Sequence, residues 1–120
     1  MKIRIKENTI RFRLTKTEVA TFAKTGYFAE HTEFGTAIFT YQLKAKQAIT
    51  DLEADYENNT ITIYFPDSEK KDWANSSKVG FENTYKTSTG ITLFILVEKD
   101  FVCMDETNED QSDNYPNPKA

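Results

Sequence analysis

The chain has 120 residues, of which 38% are hydrophobic and 13% aromatic, so it is long and apolar enough for one domain with a packed core. No stretch approaches the roughly 20 consecutive apolar residues of a membrane helix, and no apolar segment of a signal peptide follows the basic start MKIRIK. Cys103 is the only cysteine, which excludes an intrachain disulfide and fits a reducing compartment. We therefore expect a soluble, cytoplasmic protein.

The net charge of −4 is concentrated at the C-terminal end of the sequence. Residues 105–120 contain five acidic side chains and one lysine, whereas residues 1–104 contain equal numbers of acidic and basic side chains. The body of the chain therefore has no overall charge that would attract nucleic acid.

The first half of the chain predicts two strands, a helix and two further strands. Residues 2–6 alternate basic and apolar side chains, which is the period of a half-buried strand, and residues 10–14 continue the alternation as the second arm of a hairpin. Thr15 and Glu18 have the spacing of a capping box, and Gly26 is the type of residue that ends a helix. The two strands that follow are residues 27–34 and 37–45.

The second half repeats this order of elements, because residues 8–23 recur as residues 59–74. The identical pairs, fifty-one residues apart, are Asn8 with Asn59, Thr9 with Thr60, Ile10 with Ile61, Glu18 with Glu69, and Ala23 with Ala74. Pro66 stands at the start of the second helix, where the first N–H groups need no helical partner. The last two strands are residues 79–86 and 91–97. The second of these is apolar on both sides, so we expect it in the middle of the fold beneath a helix.

The sequence thus predicts an α+β fold made of two ββαββ repeats, residues 1–45 and 51–99, related by a pseudo-twofold axis. About eight mostly antiparallel strands and two short helices would form a rolled sheet or a barrel-like domain, which hides strand edges. We place this single domain at residues 1–104 and an acidic C-terminal tail at residues 105–120. The polar composition of the tail is typical of a disordered segment, and the alternative is a segment anchored by Tyr115.

The two predicted hairpins carry opposite charges. One face of the first hairpin is basic and carries Lys2, Arg4, Lys6, Arg11 and Arg13. A shift of fifty-one residues places three acids at the positions of the first three cations, namely Glu53, Asp55 and Glu57. Neighbouring strands with this inversion would form cross-strand ion pairs that set their register. Alternatively, the basic face binds an anion, a nucleic acid or an acidic partner, or the acidic tail folds back over it.

A second candidate site lies where the last strand returns to water, at Glu98, Lys99, Asp100 and Cys103. Charged residues at the end of a buried strand often belong to a site, and they equally mark the place where any strand meets solvent. His31, the only histidine, and Cys103 are too few for a zinc site, and the scattered glycines form no phosphate-binding loop. The sequence therefore predicts no metal and no cofactor, and it identifies no catalytic residue.

Three segments of the chain are distinctive, namely MKIRIKENTIRFRLTKTEV, LVEKDFVC and NYPNP. Together they resemble a family of small bacterial proteins that is classed as a domain of unknown function. Members of that family end in Phe-Pro-Asn-Pro, where this chain has Tyr115 in place of the Phe. The resemblance implies that the segment from Glu98 to Pro118 is ordered and used, and it implies no activity, substrate or catalytic residue.

The segment KENTIRFRLTKTEV also resembles the swapped-hairpin DNA-binding domains of antitoxins and transition-state regulators. Those domains are short and form intertwined dimers from a hairpin, a short helix and further strands. Here the unit is duplicated within one chain, and its second copy is acidic where the first is basic. Both differences argue against DNA binding.

Three functions remain open, and the sequence favours the first. The first is a non-enzymatic domain that binds a small ligand or a protein. The protein partner could be a second copy of this chain, and no binding to a membrane is expected. The second is a nucleic-acid-associated regulator that uses the basic hairpin face. The third is an enzyme with a carboxylate site near Glu98 and Asp100.

Overall fold

The computed structural model describes residues 1–102 and 111–116, and these form eight strands and two short helices. The strands are β1 (Lys2–Lys6), β2 (Thr9–Leu14), β3 (Tyr27–Glu33), β4 (Ile38–Lys46), β5 (Glu53–Glu57), β6 (Thr60–Pro66), β7 (Gly80–Lys86) and β8 (Thr92–Lys99). The helices are α1 (Lys16–Thr25) and α2 (Lys70–Asn75), the second preceded by a 3₁₀ turn, Asp67–Glu69. The predicted α+β class is confirmed. In the described part of the chain, neither helix has the length and apolar character needed to cross a membrane.

The strands form two four-stranded sheets. The first sheet has the order β1-β2-β8-β7, and the second has the order β3-β4-β6-β5. In each sheet an antiparallel hairpin lies on either side of one parallel contact, β2 with β8 or β4 with β6. Each sheet therefore combines one hairpin from the first half of the chain with one from the second half.

The two sheets stay separate within the described ranges, so the prediction of a rolled sheet or barrel-like closure was wrong. They pack face to face instead. The Phe12 ring of the first sheet lies 5.6 Å from the Tyr41 ring of the second, and the Phe65 and Phe81 rings lie 4.7 Å apart. Alternating apolar side chains show which face of a strand is buried, and that pattern is the same in a barrel wall and in one layer of a sandwich.

The two helices cover one end of the sandwich. Helix α1 begins with the predicted capping box, in which Glu18 N–H donates to the Thr15 hydroxyl and Thr15 N–H donates to the Glu18 carboxylate. It ends at Gly26, whose φ of 74° is in the left-handed region that favours glycine. Phe22 of α1 and Trp73 of α2 are fully buried, with 6.5 Å between their rings, and they fill this end of the core.

Strand β8 lies in the centre of the first sheet, between β2 and β7. Its Ile95 and Val97 side chains point into the sandwich and are 0% exposed. On the outer side Leu96 is buried, whereas Phe94 is 37% exposed. The prediction that a helix covers this strand was therefore wrong at Phe94, because the helices pack across the end of the sandwich.

Residues 111–116, which belong to the predicted tail, pack against the body. Tyr115 forms a parallel bridge with Phe101, and its N–H donates to the Asp100 carbonyl oxygen at 2.8 Å. Asp113 accepts hydrogen bonds from the first turn of α1. This part of the tail is thus held as the anchored alternative describes, and the rest of the tail lies outside the described residues.

Candidate functional site

The end of the sandwich opposite the helices is open and holds an apolar pocket of about 550 Å³ between the sheets. The turns after β1 and β5 lie at this end, because β2 and β6 run from it towards the helices. The apolar lining comes from both sheets, with Ile5, Ile10, Tyr85 and Leu93 from the first and Phe39, Ala54, Tyr56 and Ile61 from the second. The inward faces of the sheets therefore form a core at one end and a pocket at the other.

Local sequence explains why this end stays open. The turns at residues 7–8 and 58–59 contain only two residues each, so they are too short to fold over the end. Glu7, Asn58 and Asn59 adopt the left-handed conformation that suits such tight hairpins. Next to these turns Ile5 is 53% exposed and Tyr56 is 64% exposed. Exposed apolar side chains around an apolar cavity are typical of a binding site.

The pocket contains few charged groups. Among the described residues that line it, Asp55 is the only charged one, and there is no lysine, arginine or histidine. The loop between β7 and β8 adds the hydroxyl groups of Thr87 and Ser88, and Thr87 N–H donates to the Ile91 carbonyl oxygen at 2.8 Å. The Asp55 side chain alternates to the outer face of β5, so no charged side chain of the described residues faces the cavity, and an apolar lining disfavours a charged ligand.

The predicted basic face is the outer face of the β1–β2 hairpin. Lys2 lies opposite Arg13 and Arg4 lies opposite Arg11, so these side chains share one side of the sheet. Arg4, Lys6 and Arg11 line a shallow depression of about 210 Å³. The structure therefore brings the five predicted cations together. Three of them, Arg4, Lys6 and Arg13, form no ion pair with any described residue.

Two acids of the second predicted cluster join this face. The Arg11 Nε lies 3.1 Å from the Glu98 Oε1, and the Lys2 Nζ lies 3.1 Å from the Asp100 Oδ2. The acids of β5 cannot make these contacts, because β1 and β5 belong to different sheets. The predicted cross-strand ion pairs between the two charged hairpins were therefore wrong.

Lys99 lies on the opposite side of β8 from Glu98 and is 4% exposed. Its Nζ donates to the Ser76 carbonyl oxygen at 2.7 Å and lies 5.2 Å from the centre of the Tyr115 ring. Burial lowers the pKa of the Lys99 ammonium group. This lysine therefore links the end of α2 to the tail and does not belong to the basic face. Cys103 lies outside the described residues.

His31 is exposed on β3, and its Nδ1 is 2.8 Å from the Thr40 Oγ1. Within residues 1–102 and 111–116, no group of three or more His, Cys, Asp or Glu side chains could hold a metal ion. The chemistry that the described surface offers is therefore apolar contact in the pocket and charge on the basic face.

These features define a class of small protein, a two-sheet α+β sandwich with an apolar pocket at its open end. The chain belongs to the family of unknown function DUF7009, whose model matches residues 1–119. The predicted membership of a domain-of-unknown-function family is therefore confirmed. Neither the curated proteins nor the solved structures contain a match to this chain.

The sequence pattern did not reveal the pocket. The predicted site residues were all charged residues or a cysteine, whereas the pocket is lined mainly by apolar residues. In the sequence, these apolar residues cannot be distinguished from strand residues that face the core. One signal was available, because Ile5 and Tyr56 are apolar residues at the next-to-last position of a strand, just before a two-residue turn.

Proposed function

We propose that this protein is a non-enzymatic binding domain that takes a small apolar molecule into the pocket between its sheets. The observation that carries this proposal is the apolar cavity of about 550 Å³ at the open end. Small-molecule sites typically have volumes of about 300–1,000 Å³. The rim residues Ile5 and Tyr56 are more than half exposed, so a ligand would bury apolar surface, at about 25 cal/mol for each Å².

The lining favours a neutral ligand over a charged one. Asp55 is the only charged described residue at the pocket, and its side chain alternates to the outer face of β5, away from Ala54 and Tyr56. The hydroxyl groups of Thr87 and Ser88 can accept or donate a hydrogen bond at the polar end of a ligand. We therefore expect decanol to bind more tightly than decylamine or decanoate, which have the same apolar chain.

We also propose that the fold is an internal duplication, with residues 1–45 and 51–99 related by a pseudo-twofold axis. The strand registers support this, because Lys2 lies opposite Arg13 in the first hairpin and Glu53 lies opposite Tyr64 in the third, fifty-one residues later. The strand orders support it as well. Replacing each of β1–β4 by the corresponding strand of β5–β8, and the reverse, converts the order β1-β2-β8-β7 of the first sheet into β5-β6-β4-β3, which is the order of the second sheet.

Backbone hydrogen bonds support the same relationship. Phe94 N–H donates to the Asn8 carbonyl oxygen at 2.9 Å, and Thr40 N–H donates to the Asn59 carbonyl oxygen at 3.0 Å. The pocket would lie on the axis, since two of its lining pairs are fifty-one residues apart, Ile5 with Tyr56 and Ile10 with Ile61. A ligand there would contact both halves in similar ways.

Binding of a neutral fluorescent probe, N-phenyl-1-naphthylamine, tests the proposed function. We expect saturable binding by the wild-type protein, and competition by decanol. Leu93→Trp places a larger side chain in the pocket and should weaken probe binding at least about tenfold, since it removes the space that the probe occupies. Thr92→Trp is the matched control, because Thr92 is the neighbouring residue on the same strand and points to the opposite face.

Equal probe binding by wild type, Leu93→Trp and Thr92→Trp would contradict the proposal, because the probe would then bind elsewhere. Absence of binding by the folded wild-type protein would contradict it directly. Thermal melts of both variants show whether each is folded before its affinity is compared.

A second candidate function is the binding of a polyanion to the outer face of β1–β2. It is favoured by Arg4, Lys6 and Arg13, which form no ion pair with described residues. A gel shift at increasing salt tests it, because three phosphate contacts give a log–log slope of about −2.7. Arg4→Gln should make that slope shallower by about 1. Absence of a shift at low salt would remove this candidate.

A further inference from the structure

Four strands lie at the edges of the two sheets, β1 and β7 in the first and β3 and β5 in the second, and β1 and β5 carry opposite charges. Among the described residues, β1 pairs only with β2, and β5 pairs only with β6. Open strand edges present unpaired N–H and C=O groups, which can pair with a strand of another chain. The two edges are therefore available for contact between molecules.

The side chains of these strands are complementary on both faces. On the outer face β1 is basic and β5 is acidic, with Lys2, Arg4 and Lys6 on the first strand and Glu53, Asp55 and Glu57 on the second. On the inner face both strands are apolar, with Ile3 and Ile5 on the first and Ala54 and Tyr56 on the second. Two copies of β1 would repel each other, and so would two copies of β5, whereas β1 and β5 attract.

We propose that β1 of one molecule pairs with β5 of a second molecule of this chain. With the strands centred on each other, Arg4 lies opposite Asp55 in both the parallel and the antiparallel direction. Neither residue forms an ion pair with another described residue, whereas Lys2 pairs with Asp100 and Glu53 pairs with Lys46. The central pair of the interface therefore consists of two charges that form no ion pair with the described part of their own molecule.

The apolar face supports the same pairing. Ile5 is 53% exposed and Tyr56 is 64% exposed, and both side chains lie on the inner side of their strands. Pairing of the two edges would place them on the same side of one continuous sheet and cover part of each. This inference is independent of the ligand proposed above, although the interface would lie beside the mouth of the pocket.

The two edges lie on opposite sides of the sandwich. The start of β1 lies beside β3, because the amino group of Met1 is 3.0 Å from the Glu30 carboxylate. The start of β5 lies beside β7, because the Asn83 side-chain amide donates to the Leu52 carbonyl oxygen at 2.8 Å. One contact therefore leaves a free β1 edge on one molecule and a free β5 edge on the other. Such head-to-tail contacts produce rings or open chains rather than a closed twofold dimer.

Sedimentation velocity of the full chain at increasing concentration, in low and high salt, tests this pairing. We expect the wild-type protein to associate at low salt and to dissociate as salt rises. Arg4→Asp places an acid opposite Asp55, and Asp55→Arg places a cation opposite Arg4, so each variant alone has like charges at the centre of the interface and should associate at least about tenfold more weakly. An equimolar mixture of the two variants should associate again, and so should the double variant.

Arg13→Asp is the matched control for charge. It changes the same outer face by the same amount, but Arg13 lies on β2, which is paired on both sides. It should leave association within about threefold of wild type, because exposed charges away from an interface contribute little. A thermal melt of each variant establishes that it is folded.

Three results would overturn the inference. The first is a wild-type protein that stays monomeric at low salt at every concentration reached. The second is association that Arg4→Asp and Asp55→Arg do not weaken, or that Arg13→Asp weakens equally. The third is failure of the two complementary variants to associate when mixed, although both are folded.

Discussion

The backbone N–H of Phe94 donates a hydrogen bond of 2.9 Å to the carbonyl oxygen of Asn8, which joins the last strand to the first turn of the chain. From this point the parallel pairing of β2 with β8 continues, ending with Leu14 opposite Lys99. The first hairpin therefore belongs to a sheet that is complete only when the last two strands are in place. Because these contacts connect residues so distant in sequence, we expect the strands of this sheet to unfold cooperatively.

Ile95 tests this central strand. Its side chain is 0% exposed between the sheets, so Ile95→Ala should lower the free energy of unfolding by about 2–5 kcal/mol through lost burial and a cavity. Phe94→Ala is the control on the other face of the strand, where the ring is 37% exposed, and it should have a smaller effect. Urea unfolding measures both. A nearly unchanged free energy of unfolding for Ile95→Ala would reject the placement of this side chain in the core.

The pH dependence of stability tests the cap that Asp113 provides to α1. Hydrogen bonds from the Thr15 and Thr17 side chains lower the pKa of the Asp113 carboxyl below its ordinary value of 3.8. A carboxyl group with a lowered folded pKa stabilises the protein above the unfolded pKa, and this stability is lost as pH falls through the folded pKa. Asp113→Ala should therefore lower Tm at neutral pH, and the difference from wild type should disappear in strong acid.

Thermal melts from neutral pH into strong acid measure this difference. Asp51→Ala removes another carboxylate from an exposed position and serves as the control, with little effect expected on Tm at any pH. A difference between wild type and Asp113→Ala that stays constant down to the lowest pH would show that the charge of this residue does not stabilise the helix.

Tyr115 tests whether the tail segment stabilises the body. Its ring lies 5.7 Å from the Phe101 ring and 5.2 Å from the Lys99 Nζ. Tyr115→Ala removes both contacts and should lower the free energy of unfolding by about 1–3 kcal/mol. Tyr115→Phe keeps the ring and should remain close to wild type. If Tyr115→Ala were as stable as wild type in urea unfolding, the anchoring of residues 111–116 would not contribute to stability.

Features that depend on residues close in sequence could be predicted. The hairpin registers follow from two-residue turns between alternating strands, as at Lys6 opposite Thr9. The start and end of α1 follow from the Thr15–Glu18 capping box and from Gly26. In each case, the residues near in sequence favour a single local conformation, so the pattern of one sequence is enough to identify it.

The partners of each hairpin could not be predicted in the same way. A period of two shows that Ile10 and Ile61 face the interior, but it does not show which strand lies beside them. The charge inversion between the hairpins was compatible with direct pairing, and the structure instead places Lys2 beside Asp100 and Arg11 beside Glu98. The deciding interactions connect residues far apart in the chain, so the local pattern does not determine them.

The pocket and the tail depend on a different kind of information. The pocket exists because no described side chain fills the space between the sheets at Ile5 and Tyr56, and this space is a property of the assembled sandwich. Residues 111–116 have a polar composition, yet a few specific hydrogen bonds and the Tyr115 ring hold them against the body. Composition describes the average behaviour of such segments and not these particular contacts.

A methyl NMR titration of the wild-type protein with N-phenyl-1-naphthylamine tests ligand binding between the sheets most directly. Binding there should cause saturable shifts of the methyl groups of Ile5, Ile10, Ile61 and Leu93. The shifts of Ile63 and Ile95 should be much smaller, because these residues are fully buried in the core and do not line the pocket. Shifts confined to other methyl groups, or no shifts at saturating probe, would contradict ligand binding between the sheets.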